Sequence, residues 1–238
     1  MNPFSLTLKS LRKRKLTALI AIGSIALSVC LLLSVEKIRH ASKSSFMNTV
    51  SGTDLIVGPR SGAEQLLLST VFRIGSPTNK IQESTYDFIR NHSDTAWTIP
   101  IGLGDSHRGY RVLATNEDYF KHYTYADDQK ISFAQGGAFN SPRSIVLGSQ
   151  IAQQLGYGID QKIILDHGAG DHSFIHHDEF PFTVVGVLKP TGTPVDYSLH
   201  VTLKGMALMH EDMNHAHHNH DPLALAPPLD LTINAVLV

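Results

Sequence analysis

The twenty positions from Leu16 to Val35, LTALIAIGSIALSVCLLLSV, contain no charged residue. As a helix rising about 1.5 Å per residue they span about 30 Å, the thickness of a bilayer's hydrocarbon core. Lys9, Arg12, Lys13, Arg14 and Lys15 stand just upstream, and the first fifteen positions hold no acid. Cytoplasmic flanks carry Lys and Arg, so this pattern places residues 1–15 inside, 16–35 in the membrane and 36–238 outside. A cleaved signal peptide shares the basic-then-apolar order. Its apolar core, however, runs about 7–15 residues and ends at a small-residue site. Here the run is longer and ends in Leu-Leu-Leu-Ser-Val-Glu-Lys-Ile. The reading is an uncleaved anchor, with Phe4, Leu8 and Leu11 forming an amphipathic stripe on the inner membrane surface.

All 21 acids and 15 of the 20 basic residues follow Val35, which gives that part a net charge of −6 with His neutral. A mildly acidic domain gives no electrostatic footprint for nucleic acid. The only cysteine, Cys30, lies within the apolar run, so the outer domain relies on packing and has no disulfides. There is no G-x-x-x-x-G-K-[ST], no G-x-G-x-x-G, no G-x-S-x-G, no H-E-x-x-H and no cysteine pair. Nucleotide loops, hydrolase elbows and thiolate zinc sites therefore have no support, and no catalytic activity is expected.

Hydropathy patterning predicts a mixed domain of the α+β class. Asp54–Val57 reads as a short strand closed by Gly58-Pro59, 63–72 as a helix, and 80–91 as a clearer amphipathic helix. Trp97–Leu103 and Tyr110–Ala114 read as strands, with the turn between them at Gly104-Asp105. Asn116 is the expected N-cap of a short helix through Tyr123, and the polar, glycine-rich stretch 124–142 is a surface excursion. Strands follow at Ser144–Leu147, Lys162–Leu165, Phe182–Leu188 and Ser198–Leu203. Helices are expected at Ser149–Leu155, stopped by Gly156, and at Lys204–His210. Leu231–Val238 alternates as a half-buried strand. The chain stops inside it, which suggests truncation.

The sequence holds fourteen histidines, unevenly spread. His167, His172, His176 and His177 share one expected loop with Asp166, Asp171, Asp178 and Glu179. His210, His215, His217, His218 and His220 share another with Glu211, Asp212 and Asp221. Imidazole and carboxylate suit Zn²⁺ and its neighbours in the first transition row. These nine histidines are the candidate metal ligands, with the second group the stronger, and zinc is the expected ion. The alternative is plain solvated loop, since flexible His-rich tracts do not pre-orient their rings.

Several stretches resemble the permease subunits of the MacB/FtsX/LolC-type ABC transporter superfamily. They are Leu6-x-Leu8-x-x-Leu11-Arg-Lys-Arg-Lys-Leu16-Thr-Ala-Leu before the span, and Ser51-Gly-Thr-Asp-Leu-Ile-Val-Gly58 after it. Then come Ser144-Ile-Val-Leu-Gly-Ser-Gln-Ile-Ala-Gln-Gln-Leu-Gly156 and Phe182-Thr-Val-Val-Gly-Val-Leu-Lys-Pro-Thr-Gly-Thr-Pro194. The resemblance covers the first half of a permease; the three further spans of such proteins have no counterpart here. It implies a single N-terminal transmembrane helix and a mixed α/β periplasmic domain with a β-rich distal insertion. It also implies a cytoplasmic ABC ATPase as partner, a second permease copy in a dimer, and location in the inner membrane. Cargo of the envelope kind, lipoprotein or peptide, and a periplasmic or lipoprotein partner belong to the same expectation, with no cofactor required. A membrane-anchored zinc buffer or sensor, using the His-rich segments and needing no ATPase, is the reading of a different class.

Overall fold

A computed structural model describes residues 13–49, 51–75, 77, 79–126, 128–167, 180–217 and 231–238. The chain divides into two units, Met1–Phe46 and Met47–Val238.

Helix α1 (Lys15–Thr49) runs 35 residues. Its stretch Lys15–Lys43 is long and apolar enough to cross a membrane by length and composition. Leu19, Ile20, Ile22 and Ile25 point to all sides of the helix, and every one is exposed. A helix that is apolar all round needs lipid or a protein core around it. The hydroxyls of Ser28 and Ser34 donate to the carbonyls of Ser24 and Cys30, at 2.9 and 2.7 Å, so these two polar side chains are satisfied within the helix.

The second unit is built on one sheet. In chain order its elements are β1 (Ile56–Val57), α2 (Ala63–Thr70), α3 (Glu83–Arg90), β2 (Ile99–His107), β3 (Tyr110–Thr115) and α4 (Asp118–His122). Then come β4 (Thr124–Tyr125), β5 (Gln129–Lys130), β6 (Phe133–Gly136), β7 (Ser144–Leu147), α5 (Ser149–Leu155), β8 (Lys162–Ile163) and β9 (Asp166–His167). The rest are β10 (Phe182–Leu188), a 3-10 turn (Pro194–Tyr197), β11 (Ser198–Thr202), α6 (Leu203–His217) and β12 (Ala235–Leu237). The ten-stranded sheet runs β1-β12-β2-β3-β11-β7-β10-β6, with β8 on β10 and β9 on β2; β4 and β5 form a separate hairpin. The pairs β3–β11 and β7–β10 are parallel.

Both faces of the central strands are covered. Val112, Ala114, Ile145, Leu147, Leu199 and Val201 pack on one side with Ile151 of α5 and Met206 and Met209 of α6. Their neighbours Leu113 and Val146 pack on the other, with Ile99, Ile101, Tyr119 and Phe120. Successive strand residues face opposite sides, so burial on both faces calls for the largely apolar runs seen at Ser144–Leu147 and Phe182–Leu188, in which Ser144 and Thr183 are the polar exceptions.

Four expectations are corrected. Strand β2 does not turn at Gly104-Asp105. It continues to His107, because β9 pairs with its second half, and the hairpin turns at Arg108-Gly109. Both of those residues have positive φ, 49° and 80°, the geometry of a type I′ turn. Asn116 does not cap α4; its side-chain amide donates to Thr98 O and Asp118 Oδ2. The 124–142 stretch is more than a surface excursion. It carries β4, β5 and β6, the last paired with β10, and buries Phe139. The closing strand is buried on both faces: Ile233, Asn234, Ala235, Val236 and Leu237 all lie inside. Asn234 is tolerated there because its Oδ1 accepts from Leu103 N at 2.7 Å and its Nδ2 donates to Asn79 O at 2.9 Å.

The places where the chain enters and leaves the sheet are adjacent. Strand β1 is antiparallel to β12, Leu55 and Val238 exchange backbone hydrogen bonds, and Asp54 N also donates to Val238 O. Just before β1, Tyr123 Oη donates to Thr49 O, Thr124 Oγ1 donates to Ser51 O, and Ser51 Oγ donates to Asp128 Oδ1. The segment following α1 is thus held by the β4–β5 hairpin.

Candidate functional site

The second half of β2 carries Asp105, Ser106 and His107, all buried. Asp105 has no exposed surface, and its Oδ2 accepts from His210 Nε2 at 3.0 Å. A carboxylate so far from water needs a donor of this kind. His210 comes from α6, more than a hundred positions away in sequence, and remains one-quarter exposed. In the neighbouring strand β9, His167 is the register partner of Asp105 and Asp166 that of Ser106. Two His-rich segments that are remote in sequence are therefore rooted at one residue.

His107 lies beside this pair. Its Nδ1 donates to Ile164 O at 2.7 Å, so its Nε2 accepts from the Tyr157 hydroxyl at 2.9 Å. Burial pushes its pKa below the ordinary imidazole value, against the opposing pull of the Ile164 carbonyl and Asp166; Arg108 adds to the lowering. His107 is a neutral structural ring at neutral pH. The Asp105–His210 pair is different in kind, since a carboxylate bonded to one imidazole nitrogen fixes the ring plane. Metal-ligating histidines are commonly oriented in this way.

Of the nine candidate metal ligands, His210 is placed by its side chain, and His167, His215 and His217 by backbone. His167 is in β9. His215 and His217 continue α6, so the loop expected after His210 is helix as far as His217. His172, His176, His177, His218 and His220 lie outside the described residues. Among the described residues no three His, Cys, Asp or Glu side chains are grouped to hold a metal. Sequence reading missed Asp105, because the Gly-Asp dipeptide resembles a turn. The polar run Asp105-Ser-His107 directly after an apolar strand was the available signal.

The chain matches the family described as MacB-like periplasmic core domain over residues 16–221. No curated protein matches it. Among solved structures it is similar to the extracellular domain of the noncanonic ABC-type transporter YknZ from Gram-positive bacteria. That likeness has 12% identity, covers 67% of this chain and 73% of that one, and has a TM-score of 0.39. The family implies a cytoplasmic ATPase as partner and no cofactor of its own. With most of its length inside the family match and an apolar helix ahead of a sheet-rich α/β domain, the chain belongs to the MacB-like periplasmic core domain family of ABC transporter permeases.

Proposed function

We propose that this chain is the N-terminal part of a permease that transmits ATP hydrolysis by a separate cytoplasmic subunit to its outer domain. In this reading residues 1–15 are cytoplasmic, 16–35 cross the inner membrane, and 36–238 act in the periplasm on envelope cargo such as lipoprotein or peptide. Two permease copies form the working dimer. The observation that carries the reading is the pairing of β1 with β12. A domain inserted between two membrane helices must receive and return its chain at one place, and here the entering and leaving strands are hydrogen-bonded neighbours. The test is affinity purification of the full-length protein from native membranes. A cytoplasmic ATPase should co-purify, and its hydrolysis rate should change when permease is added. Recovery of the permease without any ATPase removes this reading.

A second reading has one specific observation in its favour, the Asp105 carboxylate on His210 at the root of both His-rich segments. In it the chain takes up zinc outside the membrane, as a buffer or sensor, through His210, His215, His217, His218 and His220, with His167, His172, His176 and His177 as the second set. Calorimetry of the full chain in detergent at neutral pH compares it with a variant in which the first five are alanine. Equal zinc uptake by the two leaves these segments as solvated surface.

A further inference from the structure

Helix α2 and the turn after it, residues 71–75, bury polar side chains and expose apolar ones. The buried residues of α2 are Ser69 and Thr70, while Leu68 is 42% and Ile74 59% exposed. Ser69 Oγ is answered within the helix, donating to Gln65 O at 2.9 Å; Thr70 Oγ1 has no hydrogen-bond partner among the described residues. Arg73 is the sharpest case. It is only 9% exposed, and its Nε and Nη1 meet no acceptor among the described residues. Its φ is 60°, in the left-handed region where a helix commonly ends on glycine. Two backbone bonds close the turn, Val71 N to Leu67 O at 2.9 Å and Ile74 N to Leu68 O at 3.0 Å.

The groups facing the guanidinium do not neutralise it. Burial raises the pKa of Tyr119 and Tyr123 and lowers that of His200; the Arg73 charge opposes the first two shifts and adds to the third. All three are therefore neutral at pH 7, and none is a counter-ion. Asp196, an acid whose charge also reaches Tyr119, has its carboxylate taken by Thr191 N, Thr191 Oγ1 and Gly192 N. A buried charge with no counter-ion is unfavourable, and the left-handed backbone adds to the cost. What keeps the turn shut is the burial of Val71 and of the aliphatic stem of Arg73. That is a thin apolar gain, set against a cost that vanishes once the guanidinium reaches water. Local opening begins where burial is thin. Tyr123 ties this turn to the last residue of α1, since its Oη donates to Thr49 O at 3.1 Å.

We infer that residues 71–75 are a latch: the turn opens on its own, Arg73 passing from the interior to solvent while the sheet stays intact, and each opening loosens the hold of Tyr123 on Thr49.

The test uses the full chain in detergent micelles with Cys30→Ser, and single thiol probes at Val71→Cys, Thr49→Cys and Ser198→Cys, all buried positions. The reagent is N-ethylmaleimide, with labelling read by mass. Position 71 should react about a hundredfold faster than position 198, because it needs the local opening alone. Arg73→Leu removes the charge and should slow labelling at 71 and at 49 by a common factor of about ten, with no acceleration at 198. Arg73→Lys keeps a charge that is more strongly hydrated, and should leave both positions labelling at least as fast as before. Equal rates at 71 and 198, undiminished labelling in the leucine variant, or slower labelling in the lysine variant overturns the latch. A leucine variant that does not fold overturns it too, because the buried charge would then be a net support of the fold. Labelling at 49 that ignores the leucine change overturns the coupling to α1. Neither an ATPase nor zinc enters these measurements, so their result is separate from that of the proposed function.

Discussion

His200, on β11, is fully buried, with its ring centroid 5.1 Å from that of Tyr119 and 6.0 Å from that of Phe120. Burial, and then the Arg73 guanidinium, push its pKa down to about 3, against the bond from Nδ1 to Val146 O. The ring is neutral in the folded chain, whereas the unfolded chain protonates it near pH 6.5. Between about pH 6.5 and pH 3 the unfolded state therefore binds the extra proton. Stability is complete above that window and falls as the pH drops through it, at up to about 1.4 kcal/mol per pH unit. His107, lowered in the same direction, adds to the slope. His200→Phe, which keeps an aromatic ring in the nest, should flatten the loss between pH 6.5 and 4 in urea unfolding followed by fluorescence of Trp97. An unchanged slope would show that His200 already titrates in the folded chain. Gly148 is a second sensitive residue. A Cβ there would stand 2.4 Å from the carbonyl oxygens of Val195 and Asp196. Gly148→Ala should therefore cost about 1–3 kcal/mol in the same measurement, the usual range for overpacking against backbone. Gly148 was readable as a turn residue from its place between strand and helix. Asp105 was not readable, because its role depends on His210, which only the folded chain brings near.

Elements buried on both faces were the most legible. The runs Ser-Ile-Val-Leu and Phe-Thr-Val-Val-Gly-Val-Leu could pack only as central strands, and they are β7 and β10. Short strands at the edge were invisible: β6 (Phe-Ala-Gln-Gly) and β9 (Asp-His) carry no apolar alternation and exist because β10 and β2 offer them unpaired backbone. The extension of α6 past His210 went unread for a related reason. Its apolar face ends near Met209, and the residues beyond it carry no periodic signal. Helix α1 is the opposite case, because its composition alone determines what surrounds it. Leu27→Arg, in the middle of the apolar run, should raise the insertion cost by about 3 kcal/mol. A phosphatase inserted after Gly58 should be active with the native span and lose most of that activity in the variant. An inactive native fusion, with an active cytoplasmic reporter at the same site, would reverse the proposed orientation.

The sheet of the whole molecule makes the first and last strands of the domain neighbours, so any force entering at one is shared with the other before it reaches the interior. The hydrogen bonds exchanged by Leu55 and Val238 make the next pair, Ile56 and Leu237, a non-hydrogen-bonded pair. Such pairs have Cα atoms about 4.5 Å apart, close enough for a disulfide. Cys30 is the only native cysteine, so a Cys30→Ser background leaves the engineered pair alone. In that background, Ile56→Cys with Leu237→Cys should cross-link within a single chain under mild oxidation. The product should migrate faster on a non-reducing gel, because the closed loop encloses nearly the whole domain. Loop-closure entropy sets an upper bound of about 5 kcal/mol on the stabilisation, and the apolar side chains lost from β1 and β12 offset part of it. The reduced double variant, which has the lost packing without the bond, isolates the cross-link's own effect on the unfolding midpoint. Failure to cross-link in the folded chain would mean that β12 does not lie beside β1, and the proposed insertion of this domain between two spans would lose its support. If the bond forms and a co-purified ATPase still responds to the permease, β1 and β12 move as one piece during the cycle. If the bond forms and the response disappears until reductant is added, sliding between these two strands is part of the stroke.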